Sequence, residues 1–147
     1  TEVNLAMRGW LQSVCGLFEK GRGKWWVMDY GHLDEDYYSS ARREGTLRCY
    51  RDHRASTDVF EGLGETDITA HVNFSRLADF APQAGLTSEP LQDQHDFLTH
   101  AARPWLLAME ANGTTQEPNM RKLLRQFQTL THPGMMGWAF KVLVLGN

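Results

Sequence analysis

Several features of well-known protein classes are missing from this 147-residue sequence. Its two cysteines, Cys15 and Cys49, are too few for a disulfide framework and fit a reducing compartment, either a bacterial cytoplasm or the mitochondrial matrix. No apolar run is long enough to span a membrane, and no signal peptide is visible. The formal charge of −3 provides no basic face for nucleic acid. A composition that is 41% hydrophobic and 22% charged indicates a globular domain with a core of its own.

The motifs that hold metals, nucleophiles and phosphates are also missing. The sequence contains no Cys-x-x-Cys or His-Glu-x-x-His zinc motif and no Gly-x-Ser-x-Gly nucleophile turn. Gly21 and Gly23 follow a predicted helix rather than a strand, and Gly62 and Gly64 precede no helix, so neither pair is a dinucleotide-binding loop. We therefore predict no metal site. A loop for a nucleotide-type cofactor must lie elsewhere or not exist.

Residues 24–32 are predicted to form the central strand of the chain. Their sequence, Lys-Trp-Trp-Val-Met-Asp-Tyr-Gly-His, places four consecutive apolar residues before an acidic residue and a glycine, which is typical of a buried strand in a parallel sheet. Residues 2–20 precede it with the apolar spacing of an amphipathic helix. Ligands of open α/β sheets bind at the carboxyl ends of the strands, so we expect residues 29–32 to border a site.

The middle of the chain combines a long polar segment with extended and helical patterns. Residues 33–66 are predicted to form an inserted, ordered loop with a short extended piece at residues 45–50. Residues 67–72 look extended because they carry β-branched side chains. Asn73 is a good N-cap for the helix that follows, and Pro82 should end that helix.

The last third of the sequence is predicted to be mainly helical. A short strand is predicted at residues 86–92, and a helical segment at residues 93–131 follows it. Within that segment, Pro104 and Pro118 are each expected to begin a new helix, since proline is favoured at the first helical position. Residues 140–145 are predicted to form a strong strand. Helices that alternate with strands in this way indicate an α/β fold.

A set of polar and ionisable residues is expected around the edge of the predicted sheet. The members are Asp29, Tyr30, His32, Arg48, His53, Arg54, Glu65, Asp67 and His71. Each alone has a structural explanation: Asp29 can cap a turn, Asp67 can pair with an arginine and His71 can be a core histidine. Together they are denser than a plain surface needs. A functional cleft and a set of structural side chains both stay open as interpretations.

Seven short segments carry a resemblance to a known family. They are Glu2-Val3-Asn4-Leu5-Ala6, Met28-Asp29-Tyr30-Gly31-His32, Tyr37-Tyr38, Gly45-Thr46-Leu47-Arg48-Cys49-Tyr50, His53-Arg54-Ala55, Asp67-Ile68-Thr69-Ala70-His71-Val72-Asn73-Phe74 and Phe140-Lys141-Val142-Leu143. In this order they resemble the MidA family of S-adenosylmethionine (SAM)-dependent methyltransferases, relatives of a mitochondrial complex I assembly factor. The resemblance implies an α/β fold, in which residues 1–147 are the C-terminal part of one class I (Rossmann-like) methyltransferase domain.

The resemblance also implies an activity, a cofactor and a partner. The activity is protein arginine N-methylation linked to respiratory complex I assembly or to a bacterial counterpart, and the cofactor is SAM. The partner is a protein substrate rather than nucleic acid, with no membrane span, and a homodimer stays open. The glycine-rich SAM loop of the family lies upstream of the position of Thr1, so we expect this chain alone to be inactive. A non-catalytic binding module and a truncated fragment are the alternatives.

We assign roles within this chain from position and from the needs of arginine methylation. A carboxylate should orient the guanidinium through paired hydrogen bonds, and a base can remove the proton that is lost. The catalytic candidates are Asp67, with Glu65 as an alternative carboxylate, and His71 as proton acceptor. The cofactor-binding candidates are Asp29, Tyr30 and Gly31. The substrate-binding candidates are His32, Arg48, His53 and Arg54.

Overall fold

The computed structural model describes residues 2–16, 21–113 and 117–147, and the chain divides into two compact units. The first unit comprises Thr1–Gly23, Gly31–Thr87 and Gly146–Asn147, and the second comprises Lys24–Tyr30 and Ser88–Leu145. Within the described ranges, none of the helices combines the length and the apolar character that a membrane crossing requires.

Two helices form the core of the first unit. Helix α1 (Met7–Cys15) buries Met7 and Leu11, and it packs against a later helix, α3 (Phe74–Phe80). The helix predicted over residues 2–20 is confirmed for the span of α1 and is wrong for residues 2–6, which are not helical, while residues 17–20 lie outside the described residues. Its periodic apolar face predicted this burial because side chains three and four residues apart share one side of a helix.

The ends of α3 follow from its sequence. The Asn73 side chain accepts a hydrogen bond from the Arg76 N–H at 3.0 Å, which satisfies one of the free donors of the first turn. The helix ends at Phe80, and a 3₁₀ turn (Pro82–Ala84) follows it. Gly85 then takes the left-handed conformation, with φ of 75°. The predicted cap at Asn73 and the predicted stop at Pro82 are both confirmed.

A parallel strand pair leads into α3. Strand β1 (Lys24–His32) ends in the first unit, where Gly31 pairs with Val72 and His32 pairs with Asn73 of β5 (Val72–Asn73). Directly after β1, a single helical turn, α2 (Asp34–Tyr37), begins. The Asn73 amide donates to the Asp34 carboxylate at 2.7 Å. The carboxyl end of β1 and the start of α3 are therefore tied together by hydrogen bonds.

The predicted inserted loop contains part of a small antiparallel sheet. Strands β2 (Arg48–Arg51), β3 (Arg54–Ser56) and β4 (Asp67–Thr69) lie in the order β3-β2-β4. Asp52 and His53 turn the chain between β2 and β3 with positive φ angles of 49° and 60°. A second 3₁₀ turn (Ser40–Arg42) precedes this sheet. The small sheet shows that the long polar segment is ordered, as the sequence predicted.

Strand β8 (Phe140–Gly146) is the buried strand of the second unit. Its residues 142–145 are fully buried, and it lies next to β1 in the sheet. Strand β1 itself is not buried as predicted, because its side chains alternate between two faces and one of those faces is exposed. Trp26 on that face keeps 59% of its surface exposed.

The strand predicted at residues 86–92 is present as two short pieces. They are β6 (Thr87–Ser88) and β7 (Gln92–Asp93), and β7 pairs antiparallel with β8. Pro90 lies between them and has no N–H to donate to a sheet. The Glu89 N–H still donates to the Val144 carbonyl at 2.9 Å.

Two long helices complete the second unit. They are α4 (Gln94–Ala111) and α5 (Pro118–Thr131), and a π-helical turn (Pro133–Gly137) follows them. The helix start predicted at Pro118 is confirmed. The start predicted at Pro104 is wrong, because α4 continues through that proline at the loss of one backbone hydrogen bond. The next residue, Trp105, packs edge-on against a phenylalanine of α5, with ring centres 6.0 Å apart.

Candidate functional site

The first unit contains a cleft of about 660 Å³, which we call the candidate cleft. The segment before α1, the helix α2 and the stretch from residue 70 into α3 form its walls. Its polar lining includes Glu2, Tyr37, Tyr38, His71, Asn73 and Arg76. A cleft of this size with a few convergent polar groups has the character of a small-molecule or side-chain binding site.

Hydrogen bonds from Thr46 hold the Glu2 carboxylate at this cleft. The Thr46 N–H donates to Glu2 Oε1 at 2.6 Å, and the Thr46 hydroxyl donates to the same oxygen. Burial raises the pKa of the Glu2 carboxyl, but the two Thr46 hydrogen bonds and smaller lowering contributions together outweigh burial and leave the pKa below its ordinary value. The hydrogen bonds from Thr46 and from the Tyr37 hydroxyl all reach Oε1 of this carboxylate. Glu2 is therefore an ionised carboxylate that Thr46 orients through Oε1.

Thr46 also connects Glu2 to His71. The His71 backbone N–H donates to Thr46 Oγ1 at 2.9 Å, while the Thr46 hydroxyl proton goes to Glu2. The Tyr37 side chain contacts both Glu2 and His71. Its hydroxyl lies 3.3 Å from the His71 carbonyl oxygen and 3.5 Å from Glu2 Oε1. Burial, followed by the nearby Glu2 charge, raises the pKa of the Tyr37 hydroxyl, so Tyr37 stays a neutral donor.

Two histidines close this network. His32 Nε2 and His71 Nδ1 are 3.0 Å apart, and the rings are tilted by 38°. A hydrogen bond between two ring nitrogens needs one N–H and one lone pair, so at least one of the two rings is neutral. When both rings are neutral, the pair can take up one proton and still keep this hydrogen bond. We call Glu2, Tyr37, Thr46, His71 and His32 the cleft network.

Arg48 lies beside this network on a second, more polar cleft of about 410 Å³, which His71 also lines. The Arg48 guanidinium donates to the Leu47 carbonyl at 2.6 Å. Of the residues that the sequence predicted for a site, the structure thus brings together His32, His71 and Arg48.

The predicted catalytic carboxylates and two of the predicted substrate-binding residues lie on or beside the small antiparallel sheet. Asp67 is exposed on β4, opposite Tyr50, and Glu65 pairs with Arg51 at 2.6 Å. His53 occupies the exposed turn between β2 and β3, and Arg54 begins β3. We call the four residues Glu65, Asp67, His53 and Arg54 the sheet-tip group. None of them lines the candidate cleft or the second cleft, so their assigned roles remain predictions.

The cofactor candidates are occupied by local contacts. The Asp29 carboxylate accepts the Tyr30 N–H at 2.7 Å, and the Tyr30 ring packs on Phe140 in the second unit. A Cβ at Gly31 would lie 2.3 Å from the Val72 carbonyl oxygen, so packing requires a glycine there. No buried side-chain polar atom among the described residues lacks a hydrogen-bond partner. The assignment of these three residues to cofactor binding therefore remains a prediction.

The sequence reasoning missed three members of the network: Glu2, Thr46 and Tyr37. All three belong to segments that carried the family resemblance, but no role was assigned to them. Across residues 2–16, 21–113 and 117–147, no group of three or more His, Cys, Asp or Glu side chains is placed to hold a metal ion. The chemistry available here is that of a carboxylate, a phenol and a histidine pair.

Comparison with known proteins places these residues in a family. The model of a family described as "putative S-adenosyl-L-methionine-dependent methyltransferase" matches residues 1–91, which include the whole cleft network. A curated relative, the mitochondrial protein arginine methyltransferase NDUFAF7 of Danio rerio, is 25% identical over 138 residues. That alignment covers 93% of this chain and 30% of the relative.

Two solved structures from Burkholderia thailandensis are similar to the chain. One, of an uncharacterised protein, is 31% identical with a TM-score of 0.81, and the match covers 99% of this chain and 38% of that one. The other, bound to S-adenosyl-homocysteine, is 31% identical with a TM-score of 0.76, over 95% of this chain and 35% of that one. The chain therefore spans about a third of the length of these relatives. Both structures confirm the predicted α/β methyltransferase fold class.

Proposed function

The chain belongs to this family of SAM-dependent methyltransferases, and from that premise we propose that it is part of a protein arginine N-methyltransferase. Methyl transfer is supported above all by the 31% identity to the structure that holds S-adenosyl-homocysteine, the product left when SAM gives up its methyl group. Arginine as the acceptor is supported by the Danio rerio relative, which is named a protein arginine methyltransferase. The cleft network supplies side chains that suit this chemistry.

The arginine side chain that receives the methyl group imposes two requirements on the protein. A guanidinium is planar and cationic, so a fixed carboxylate can hold it through paired hydrogen bonds. It must also lose a proton when a nitrogen gains the methyl group that the bound cofactor supplies. In our proposal, Glu2 meets the first requirement because Thr46 orients its carboxylate through Oε1, and the guanidinium would bind through Oε2. His71 meets the second, since the pair with His32 can accept one proton.

Asp67 and Glu65 are the competing carboxylates. Both lie on or beside the exposed small sheet, where, within the described residues, their carboxylates are not held by hydrogen bonds like those from Thr46 to Glu2. Glu65 forms an exposed ion pair with Arg51. Variants of the full-length enzyme separate the candidates. Glu2→Gln and His71→Ala should each lower kcat by about 10²-fold or more, with unchanged binding of S-adenosyl-homocysteine as the check on folding. Asp67→Asn should leave kcat within a few-fold. The reverse pattern would transfer the carboxylate role to Asp67.

The cofactor requirement is tested by calorimetry. We propose that the SAM site needs residues outside this chain, because its own cofactor candidates are engaged in local contacts. SAM should therefore bind the full-length protein and not the 147-residue chain. Binding to the chain alone would place the site among its own residues. Absence of binding to both would favour the non-catalytic module.

The proposed function also requires a protein substrate that carries the target arginine. The resemblance found in the sequence motifs leads us to propose a subunit of respiratory complex I, or of its bacterial counterpart, as the methylated protein. The compartment would then be the mitochondrial matrix or the bacterial cytoplasm. Mass spectrometry of the isolated complex from cells with and without the full-length protein tests this. A methylarginine that is present only with the protein is expected, and an unchanged methylation pattern would exclude this substrate.

A further inference from the structure

The second cleft, beside the candidate cleft, carries an unusual concentration of positive charge. Three arginines, Arg42, Arg43 and Arg48, line it, and Glu44 is its single acidic residue. This contrasts with the formal charge of −3 for the whole chain. His71 lines both clefts, so the two openings share a wall. We call this second cleft the arginine groove.

Two of the three arginines are held in place by neutral oxygens. Arg42 Nη1 donates to the Asp36 carbonyl at 2.8 Å and to Ser39 Oγ at 3.3 Å. Arg48 makes its contact with the preceding carbonyl, and both side chains are half-buried. A guanidinium has five N–H donors, so each of these side chains has more donors than these contacts use. The groove thus presents oriented cations.

None of the three arginines forms an ion pair with a carboxylate of the described residues. Other arginines of the same unit do: Arg51 pairs with Glu65 at 2.6 Å, and Arg76 pairs with Asp34 at 3.6 Å. The chain has enough acidic residues to neutralise exposed arginines elsewhere, yet it leaves this groove positive. Uncompensated, partly buried guanidinium groups in a concave surface indicate an anionic ligand.

We propose that the arginine groove binds an aspartate or glutamate side chain that flanks the target arginine of the protein substrate. This inference rests on the proposed function. Because the groove and the candidate cleft share His71, a substrate arginine in the cleft would place a nearby residue at the groove. Three arginines and one glutamate leave about two positive charges, which matches one or two carboxylates. A nucleic-acid backbone, with a charge at every phosphate, calls for a longer basic track.

Peptide binding to the full-length protein tests this proposal. The probe is a short fluorescein-labelled peptide in which glutamates flank one arginine on both sides, and its twin carries glutamines instead. The acidic peptide should bind about tenfold more tightly, a difference of about 1.4 kcal/mol, and the difference should shrink at high salt. The double variant Arg43→Gln/Arg48→Gln should bind both peptides equally.

Arg51→Gln is the matched control, since it removes the same charge from the same unit but outside the groove. It should retain the preference for the acidic peptide. Equal binding of the two peptides by the unaltered protein would overturn the proposal, as would an equal loss in the Arg51 variant. Displacement of the acidic peptide by millimolar inorganic phosphate would also overturn it, in favour of a phosphate site. The measurement needs no methyl transfer, so the two failures are distinguishable. A retained preference for the acidic peptide without turnover would count against the proposed function, and retained turnover without the preference would count against the groove.

Discussion

The cleft network and the sheet-tip group are both sets of ionisable side chains in the first unit, but they differ in how they are held. In the network, hydrogen bonds from Thr46, from the Tyr37 hydroxyl and within the histidine pair connect every member. In the sheet-tip group, the side chains lie on short strands and turns, and Glu65 forms an exposed ion pair with Arg51. Orientation, rather than the presence of charge, distinguishes a candidate site from a solvated surface.

The structural reason for the difference is their position relative to the core. His32 stands at the carboxyl end of β1 and His71 just before β5, the strand that leads into the fully buried Phe74. The sheet-tip residues belong to β3, β4 and their connecting loops, where most side chains are exposed. Substitutions should therefore lower stability strongly near the network and weakly at the tip.

The largest effect is expected for Gly31→Ala at the base of the network. The new Cβ would approach the Val72 carbonyl oxygen to 2.3 Å and the Phe74 ring to 2.5 Å, so the β1–β5 pair would have to separate. We expect a loss of about 3 kcal/mol, or about 10 °C in Tm, measured by thermal unfolding. Gly9→Ala is the control, since nothing lies within 4 Å of its Cβ position in α1. An equal Tm for the two variants would contradict this account.

Thr46→Val should have the next largest effect. It keeps the shape of the side chain but removes the hydroxyl that serves both Glu2 and the His71 N–H. We expect urea unfolding to show a loss of about 2 kcal/mol, because the two partners are left short of a hydrogen bond. Thr69→Val, whose hydroxyl makes a single 3.4 Å contact on the exposed small sheet, should change stability by less than about 0.5 kcal/mol. Similar losses at both positions would remove the distinction between the two groups.

Acid should act on the network through Glu2. Its pKa is lowered in the folded protein, so the folded state binds fewer protons than the unfolded state near the ordinary carboxyl pKa of about 4.3. The stabilisation is therefore present above that pH and is lost as the pH falls through the folded-state pKa. Glu2→Gln should flatten this part of the curve of unfolding free energy against pH. If the variant shows the same slope, the pH dependence of the unfolding free energy does not come from Glu2.

The smallest effect is expected for Glu65→Gln at the sheet tip. Its ion pair with Arg51 is short, at 2.6 Å, but both side chains are at least half exposed. Solvent screening should limit the loss to about 0.5 kcal/mol or less by urea unfolding, and added salt should reduce it further. A loss as large as that of Thr46→Val would mean that the tip is held as firmly as the network.

Much of the local structure was predictable from the sequence, and the exceptions have physical causes. Proline at position 104 looked like a helix start, but tertiary packing kept α4 continuous through it. The apolar run of β1 suggested burial on both faces, yet one face is exposed. For the site, His32, His71 and Arg48 were predicted, whereas Glu2 and Thr46 gave no signal beyond the motifs in which they occur.

Taken alone, the sequence determined the features that depend on neighbours three or four residues apart. The cap at Asn73 and the helix start at Pro118 follow from backbone geometry and hydrogen bonds within one turn. Tertiary structure alone decided the network, because Glu2 and Thr46 are 44 residues apart and His32 and His71 are 39 apart. Side chains at such separations meet only when strands pair and helices pack around a common core.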